Sequence, residues 1–223
     1  VVGTCAIGYL AKRLTHTFLW EWMICDGTPD IGIKEIPNIL SSKECDALIH
    51  WLQTHPERKT ISGVDSGVLI PQGIVQYQHR KSEQAWMFSK DHPLVAKIRK
   101  AVKPYLQTPC RYQALQIAHY KTGGYFKPHY DNIITPWISK QRSATLIIYL
   151  NDDYDGGETR FPYLNRTIRP KKGDAVYFRN LHPINKKVLW HSKHEGCEVK
   201  SGEKYIATLW LHEKNERVNK KSL

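Results

Sequence analysis

His129-Tyr130-Asp131 stands near the middle of this chain, His194 follows sixty-five residues after the first histidine, and Lys204 comes ten residues later. Residues i and i+2 of an extended segment share a face, so His129 and Asp131 can present an imidazole and a carboxylate to one ion. A later histidine completes three ligands. Two nitrogens and one carboxylate on one face of an octahedron suit non-haem Fe(II) and leave up to three positions open. Lys204 adds a fixed positive charge for a carboxylate-bearing co-substrate. In this order the residues predict iron chemistry that uses 2-oxoglutarate and dioxygen.

A His-X-Asp triplet alone carries little weight, because a histidine in a half-buried strand is usually only hydrogen-bonded. Its surroundings add to it. Gly123-Gly124 and Pro128 mark a tight approach, and the turn Asn151 to Gly157 sends Glu158-Thr159-Arg160-Phe161-Pro162 back across a sheet. The third ligand has rivals among the eleven histidines, since His182, His191 and His212 also follow the triplet. His191 and His194 have the spacing of a helical zinc pair, but VLWHSKHEGCEV is made of strand and turn residues. His194 is preferred because Lys204 follows it on the run Glu203 to Leu211, whose alternation aims a lysine into the interior. The bland alternative for Lys204 is a solvated strand lysine.

The elements that must position these residues are legible as patterns. Ser41 with Glu44 forms a capping box ahead of Cys45, Leu48, Ile49 and Leu52, which predicts a helix of about three to four turns. A second helix follows Asp91-His92-Pro93, carries Leu94, Ile98 and Val102 on one stripe, and ends near Pro104. From Gln113 onward, short apolar or alternating runs at 113–121, 144–150, 158–162, 174–179, 186–190 and 203–212 predict strands. The fold class is α+β, a strand meander of sandwich or jelly-roll type with N-terminal supporting helices. Residues 63–83 and 132–141 read as loops long enough to cover a cleft. The domain spans 35–213, after an N-terminal extension 1–34 and before a basic tail 214–223.

Composition sets the outer limits. A chain of 223 residues, 41% of them hydrophobic, can bury a sizeable single core without a metal or disulfide to hold it. The five cysteines are scattered and lack any CxxC, which excludes a zinc knuckle and a full disulfide framework but leaves room for one bridge. A net charge of +12 would attract nucleic acid, anionic membrane or an extended peptide. Val1 to Leu10 is apolar and precedes Lys12-Arg13; ten residues are too few to span a bilayer, which needs about 20. The segment reads either as the remnant of a membrane anchor or signal, which implies the secretory-pathway lumen or a membrane-associated enzyme, or as a short terminus of an intracellular one.

Six blocks in order, Leu115 to Tyr120 with Gly123 to Asp131, Arg142-Ser143-Ala144-Thr145, Gly156 to Pro162, Pro170 to Ala175, His194 to Val199, and Trp210-Leu211-His212-Glu213, carry a resemblance. The stretch 35–213 resembles the catalytic domain of collagen-type prolyl 4-hydroxylases, and most of all the small single-domain forms of plants, algae and algal viruses. The resemblance implies a double-stranded β-helix in which His129, Asp131 and His194 hold Fe(II) and Lys204 grips the distal carboxylate of 2-oxoglutarate. It puts Tyr120 and Thr159 beside the co-substrate, and Arg80, Ser82, Arg142, Trp210 and His212 along the peptide groove. It also implies L-ascorbate as a cofactor and hydroxylation of peptidyl proline at C4, with succinate and carbon dioxide as co-products. A proline-rich partner is pre-extended as a polyproline II helix and docks on aromatic grooves at little entropic cost. The two long loops would close over it, and a monomer is expected. The charge favours a nucleic-acid oxidative demethylase as the alternative. Those enzymes place an arginine-based co-substrate motif after the distal histidine, so with Lys204 nucleic acid is not the expected substrate. A non-catalytic basic binding module is the remaining reading.

Overall fold

The computed structural model describes residues 32–61, 65–70, 73–106, 109–132, 141–183 and 188–213, and every structural statement below concerns these. From Lys34 onward the described residues form one compact unit built on two main antiparallel sheets, with two further two-stranded ones, Asp155–Gly156 with Val199–Ser201 and Asp65–Ile70 with Gly73–Gln78. The larger runs, edge to edge, Lys34–Ile36, Ala175–Arg179, Arg142–Tyr149, Lys204–Glu213, Leu115–Tyr120, Glu83–Met87 and Thr60–Ile61, with Cys110–Tyr112 pairing the end of Lys204–Glu213. The smaller runs Arg166–Ile168, Thr159–Phe161, His194–Gly196, Tyr125–His129 and Arg80–Lys81. This jelly-roll core with few helices matches the expected α+β class.

Two helices, α1 (Ser42–Thr54) and α2 (Leu94–Val102), supply the covering layer. The capping box is present at α1, where the Ser41 side chain accepts from the Glu44 amide and the Glu44 carboxylate accepts from the Ser41 amide. Two of the orphan donors of the first turn are thereby satisfied. Cys45, Leu48, Trp51 and Leu52 of α1 and Leu94, Val95, Ile98 and Val102 of α2 are buried and belong to one core cluster with the sheet residues Leu115, Ile117, Ala144, Leu146, Ile148, Tyr205, Ala207, Leu209 and Leu211. Period-two alternation then gives the opposite face of the same strands to Gln116, Tyr120, Ile147, Lys204, Ile206, Thr208 and Trp210, which line a cleft. Both faces are covered, so these strands are buried throughout and their alternation is one of chemistry rather than exposure.

Two expectations change. The stretch 63–83 is not a loop: Asp65–Ile70 pairs with Gly73–Gln78, and Arg80–Lys81 and Glu83–Met87 each join a sheet. The β-branched and aromatic residues of GVLI and GIVQY outweigh the glycines and serine that suggested a coil. Nor do Val188 to Trp190, the described part of the strand expected at 186–190, form a strand. Val188 makes a single bridge to Leu181, the Leu189 amide donates to the Asn180 carbonyl, and a 3-10 turn begins at Trp190. Positions 133–140 of the second expected loop, the apolar N-terminus and the basic tail lie outside the described residues. Among the described residues, no helix is long and apolar enough to cross a membrane, and Cys45 and Cys197 are free thiols.

Candidate active site

Sheet register brings the distant histidines together. His129 ends the strand Tyr125–His129, His194 begins the strand His194–Gly196, and the two residues are direct cross-strand partners. Asp131 lies in the bend just beyond. One nitrogen of each imidazole and one carboxylate oxygen all lie within 4.8 Å of one another. His129 Nε2 is 3.5 Å from Asp131 Oδ1, and His194 Nε2 is 3.7 Å from Asp131 Oδ2. Metal–ligand bonds of about 2.1 Å at right angles separate neighbouring ligand atoms by about 3 Å, so a small inward rotation would seat an ion.

The tautomers suit that role. His129 Nδ1 is 2.7 Å from the Lys127 carbonyl and His194 Nδ1 is 2.9 Å from the Ser192 carbonyl. A carbonyl only accepts, so each Nδ1 carries a proton, and the Nε2 atoms, which face Asp131, are the ones left to bind a metal. Backbone carbonyls behind histidine ligands are the usual means of fixing ring orientation. Phe126 stacks on His129 with 3.5 Å between ring centroids, and Phe178 meets His194 at 4.7 Å. Burial would push the Asp131 carboxyl up, but the neighbouring His194 and His129 and the hydrogen bonds from His129 and Thr145 hold it far below the usual carboxylate range. Burial and the nearby His129 lower His194 to about 4, against the pull of Asp131. Near neutral pH the set is one carboxylate and a neutral His194, the forms that bind a divalent cation.

Lys204 lines the same cleft and is 3% exposed. Its Nζ donates to the Gly157 carbonyl at 2.6 Å and lies 5.5 Å and 5.6 Å from the ring centroids of Tyr120 and Tyr149. Burial pushes its pKa down to about 8, with Arg80 acting in the same direction and Cys197 and Glu158 opposing it. Gly156 and Gly157, both at positive φ (70° and 67°), form the turn that presents this carbonyl. The solvated-lysine alternative therefore does not hold. Thr159 lines the cleft with its hydroxyl hydrogen-bonded to Tyr149 Oη, and Tyr120 forms part of the wall.

Among the residues expected along a peptide groove, Arg80 and Trp210 line the cleft directly. Arg80 is buried, donates to Ser82 Oγ at 2.8 Å and to Gln116 Oε1 at 3.1 Å, and lies over the Phe126 and Tyr120 rings. The Arg142 guanidinium sits 3.8 Å from the centroid of the Trp210 ring and donates to Gln113 Oε1 at 3.2 Å, an amide oxygen that is also 3.3 Å from His212 Nε2. Gln113, Gln116, Thr145 and Tyr149 escaped the sequence reading. For Gln116, Thr145 and Tyr149 the available signal was a polar or hydroxyl side chain inside an otherwise apolar strand; Gln113 lies between two strands and offered none.

The 2OG-Fe(II) oxygenase superfamily model matches residues 115–212, the stretch holding all three candidate ligands and Lys204. A prolyl 4-hydroxylase homologue of Acanthamoeba polyphaga mimivirus is 30% identical over 79% of this chain and 72% of its own. Prolyl 4-hydroxylase 1 of Arabidopsis thaliana is 29% identical over 79% of this chain and 67% of its own. Among solved structures, the viral collagen prolyl hydroxylase of Paramecium Bursaria Chlorella virus-1, in its 2OG complex, aligns with a TM-score of 0.66 and 33% identity over 86% of this chain and 99% of that one.

Proposed function

Because the chain belongs to the 2OG-Fe(II) oxygenase superfamily and is a homologue of prolyl 4-hydroxylases, we propose that it hydroxylates peptidyl proline at C4 in proline-rich sequences. In the overall reaction one atom of dioxygen enters the new hydroxyl and the other enters succinate, as 2-oxoglutarate loses carbon dioxide. The observation that carries the reading is a single cleft that holds both a two-histidine, one-carboxylate cluster and a buried lysine.

His129, Asp131 and His194 would hold Fe(II), which when bound would supply the chemistry that activates dioxygen and the open positions for the keto acid. Lys204 would pair with the distal carboxylate of 2-oxoglutarate, a charge-assisted bond made short and strong by the surrounding Tyr120 and Tyr149 rings. The Thr159 hydroxyl, held by Tyr149, adds a hydrogen-bonding group beside it. Phe126, Ile147 and Ile206 give the cleft apolar walls that exclude water from the bound keto acid.

Peptide binding falls to Arg80, Ser82, Arg142, Trp210 and His212. Trp86 lies against Trp210 with centroids 5.6 Å apart and planes tilted by 41°, and Arg142 covers the same ring, which gives an aromatic surface for a polyproline II chain. Trp210 Nε1 is buried with no hydrogen-bond partner among the described residues. An unsatisfied donor of that kind costs about 1–3 kcal/mol, which a peptide carbonyl would relieve. The test is amino-acid analysis of a proline-rich peptide incubated with the protein, Fe(II), 2-oxoglutarate and ascorbate as reductant. Formation of 4-hydroxyproline supports the reading; unmodified proline beside consumed 2-oxoglutarate contradicts it.

A further inference from the structure

Three buried side chains form a line that ends on the candidate aspartate ligand. Asp131 is 5% exposed, and Thr145 and Asn180 are fully buried. Thr145 Oγ1 donates to Asp131 Oδ2 at 2.7 Å, and Asn180 Nδ2 donates to Thr145 Oγ1 at 2.9 Å. We propose that Thr145, oriented by Asn180, is a positioning residue that fixes the Asp131 carboxylate for metal binding.

The direction of the chain of bonds follows from what each group can do. A hydroxyl has one proton and two lone pairs, whereas a carboxylate only accepts and an amide NH₂ only donates. With the Asn180 NH₂ on its lone pair, the Thr145 hydroxyl has its proton free for Asp131. The reversed amide would draw that proton to its own oxygen and turn a lone pair on the carboxylate. The backbone of Asn180 is held in place: its main-chain N–H donates to the Ser143 carbonyl at 2.8 Å, and its main-chain carbonyl accepts from the Leu189 amide at 2.9 Å. Thr145 lies mid-strand, paired with Phe178 on one side and Trp210 on the other. Asp131, by contrast, lies in a bend past the end of its strand. No ladder orients its side chain, so the orientation comes from the rigid strand beneath through Thr145.

A hydrogen bond to an ionised acceptor in a dry site is roughly twice as strong as one between neutral groups. Groups standing behind metal ligands affect affinity by about 10–100-fold when removed. The inference rests on the reading of His129, Asp131 and His194 as metal ligands, and the experiment separates the two. The metal-free protein is titrated with Mn(II), and free Mn(II) is read by electron paramagnetic resonance, so that no turnover is involved. Thr145→Val keeps the shape and deletes the hydroxyl, and it is expected to weaken Mn(II) binding by about 10–100-fold, while Thr145→Ser stays within about threefold of the parent. Asn180→Leu, which removes only the outer donor, is expected to weaken binding by about 3–10-fold. Thr145→Val binding within about threefold of the parent overturns the proposal. A Thr145→Ser variant as weak as Thr145→Val also overturns it, because the methyl rather than the hydroxyl would then matter. If Thr145→Val does not fold, Asn180→Leu decides by the same titration, with unchanged affinity overturning the proposal. A parent protein that binds no Mn(II) overturns the ligand reading itself.

Discussion

The affinity for 2-oxoglutarate should fall steeply across mildly alkaline pH because the group expected to bind it titrates there. Burial pushes Lys204 down to about 8. Only the ammonium form pairs with a carboxylate, and both carboxylates of the co-substrate stay ionised throughout this range. The apparent dissociation constant therefore scales as 1 + 10^(pH − pKa). It rises by about tenfold between pH 7 and pH 9, equivalent to about 1.4 kcal/mol. The sign is that of a lysine with a depressed pKa: charge is present below about 8 and lost above it. The assay is equilibrium binding of 2-oxoglutarate to the Mn(II)-loaded protein by calorimetry, repeated in buffers of different ionisation enthalpy. At pH 9 close to one proton should be taken up per co-substrate bound. Lys204→Arg serves as the control, since a guanidinium stays charged over the whole range and subtracts any pH effect arising at the metal. Equal pH slopes for the parent and Lys204→Arg would refute the reasoning.

Three further outcomes are expected. At a metal concentration about a hundred times its dissociation constant, binding stabilises the parent by about 2.7 kcal/mol, which raises Tm by about 5–10 °C in a domain of this size. Asp131→Ala should show no such rise in a thermal scan and should not turn over. His191→Ala should keep its Mn(II) affinity within about threefold, since His191 lies on the 3-10 turn outside the ligand cluster; a loss as large as that in His194→Ala would move the third ligand. Gly157→Ala places a Cβ 3.2 Å from Lys204 Cδ at a φ of 67°, so it should raise the KM for 2-oxoglutarate severalfold while leaving metal affinity in place, and parallel titrations of the two ligands check this.

Local signals in the chain were readable and non-local ones were not. The capping box at Ser41 and the Leu94, Ile98, Val102 stripe depend on neighbours within one turn or two, and both helices form where those signals lie. The two-residue spacing of His129 and Asp131 is equally local, although Asp131 lies in the bend past its strand and not on it. That His194 rather than His182 or His212 stands against them depends on which strand pairs with Tyr125–His129, and register is a long-range property. The 65–78 hairpin was hidden by its Gly and Ser content, although its alternating β-branched residues were available to be weighed. Val188, Leu189 and Trp190 carry strand-like side chains, yet hydrogen bonds from Leu189 to Asn180 and from Ser192 to Leu189 turn the chain there instead. Thr145 and Asn180 were passed over because a threonine inside one strand and an asparagine just past the end of another are ordinary on local grounds. Only the fold puts them in line with Asp131.

The most direct test of the account is 2-oxoglutarate decarboxylation with Fe(II) and ascorbate, measured in the presence of a proline-rich peptide, a lysine-bearing collagen peptide or methylated single-stranded DNA. The expected result is stimulation by the proline-rich peptide, with succinate and hydroxyproline formed in equal amounts and both lost in Asp131→Ala. Stimulation by methylated DNA alone would contradict the assignment of peptidyl proline as the substrate.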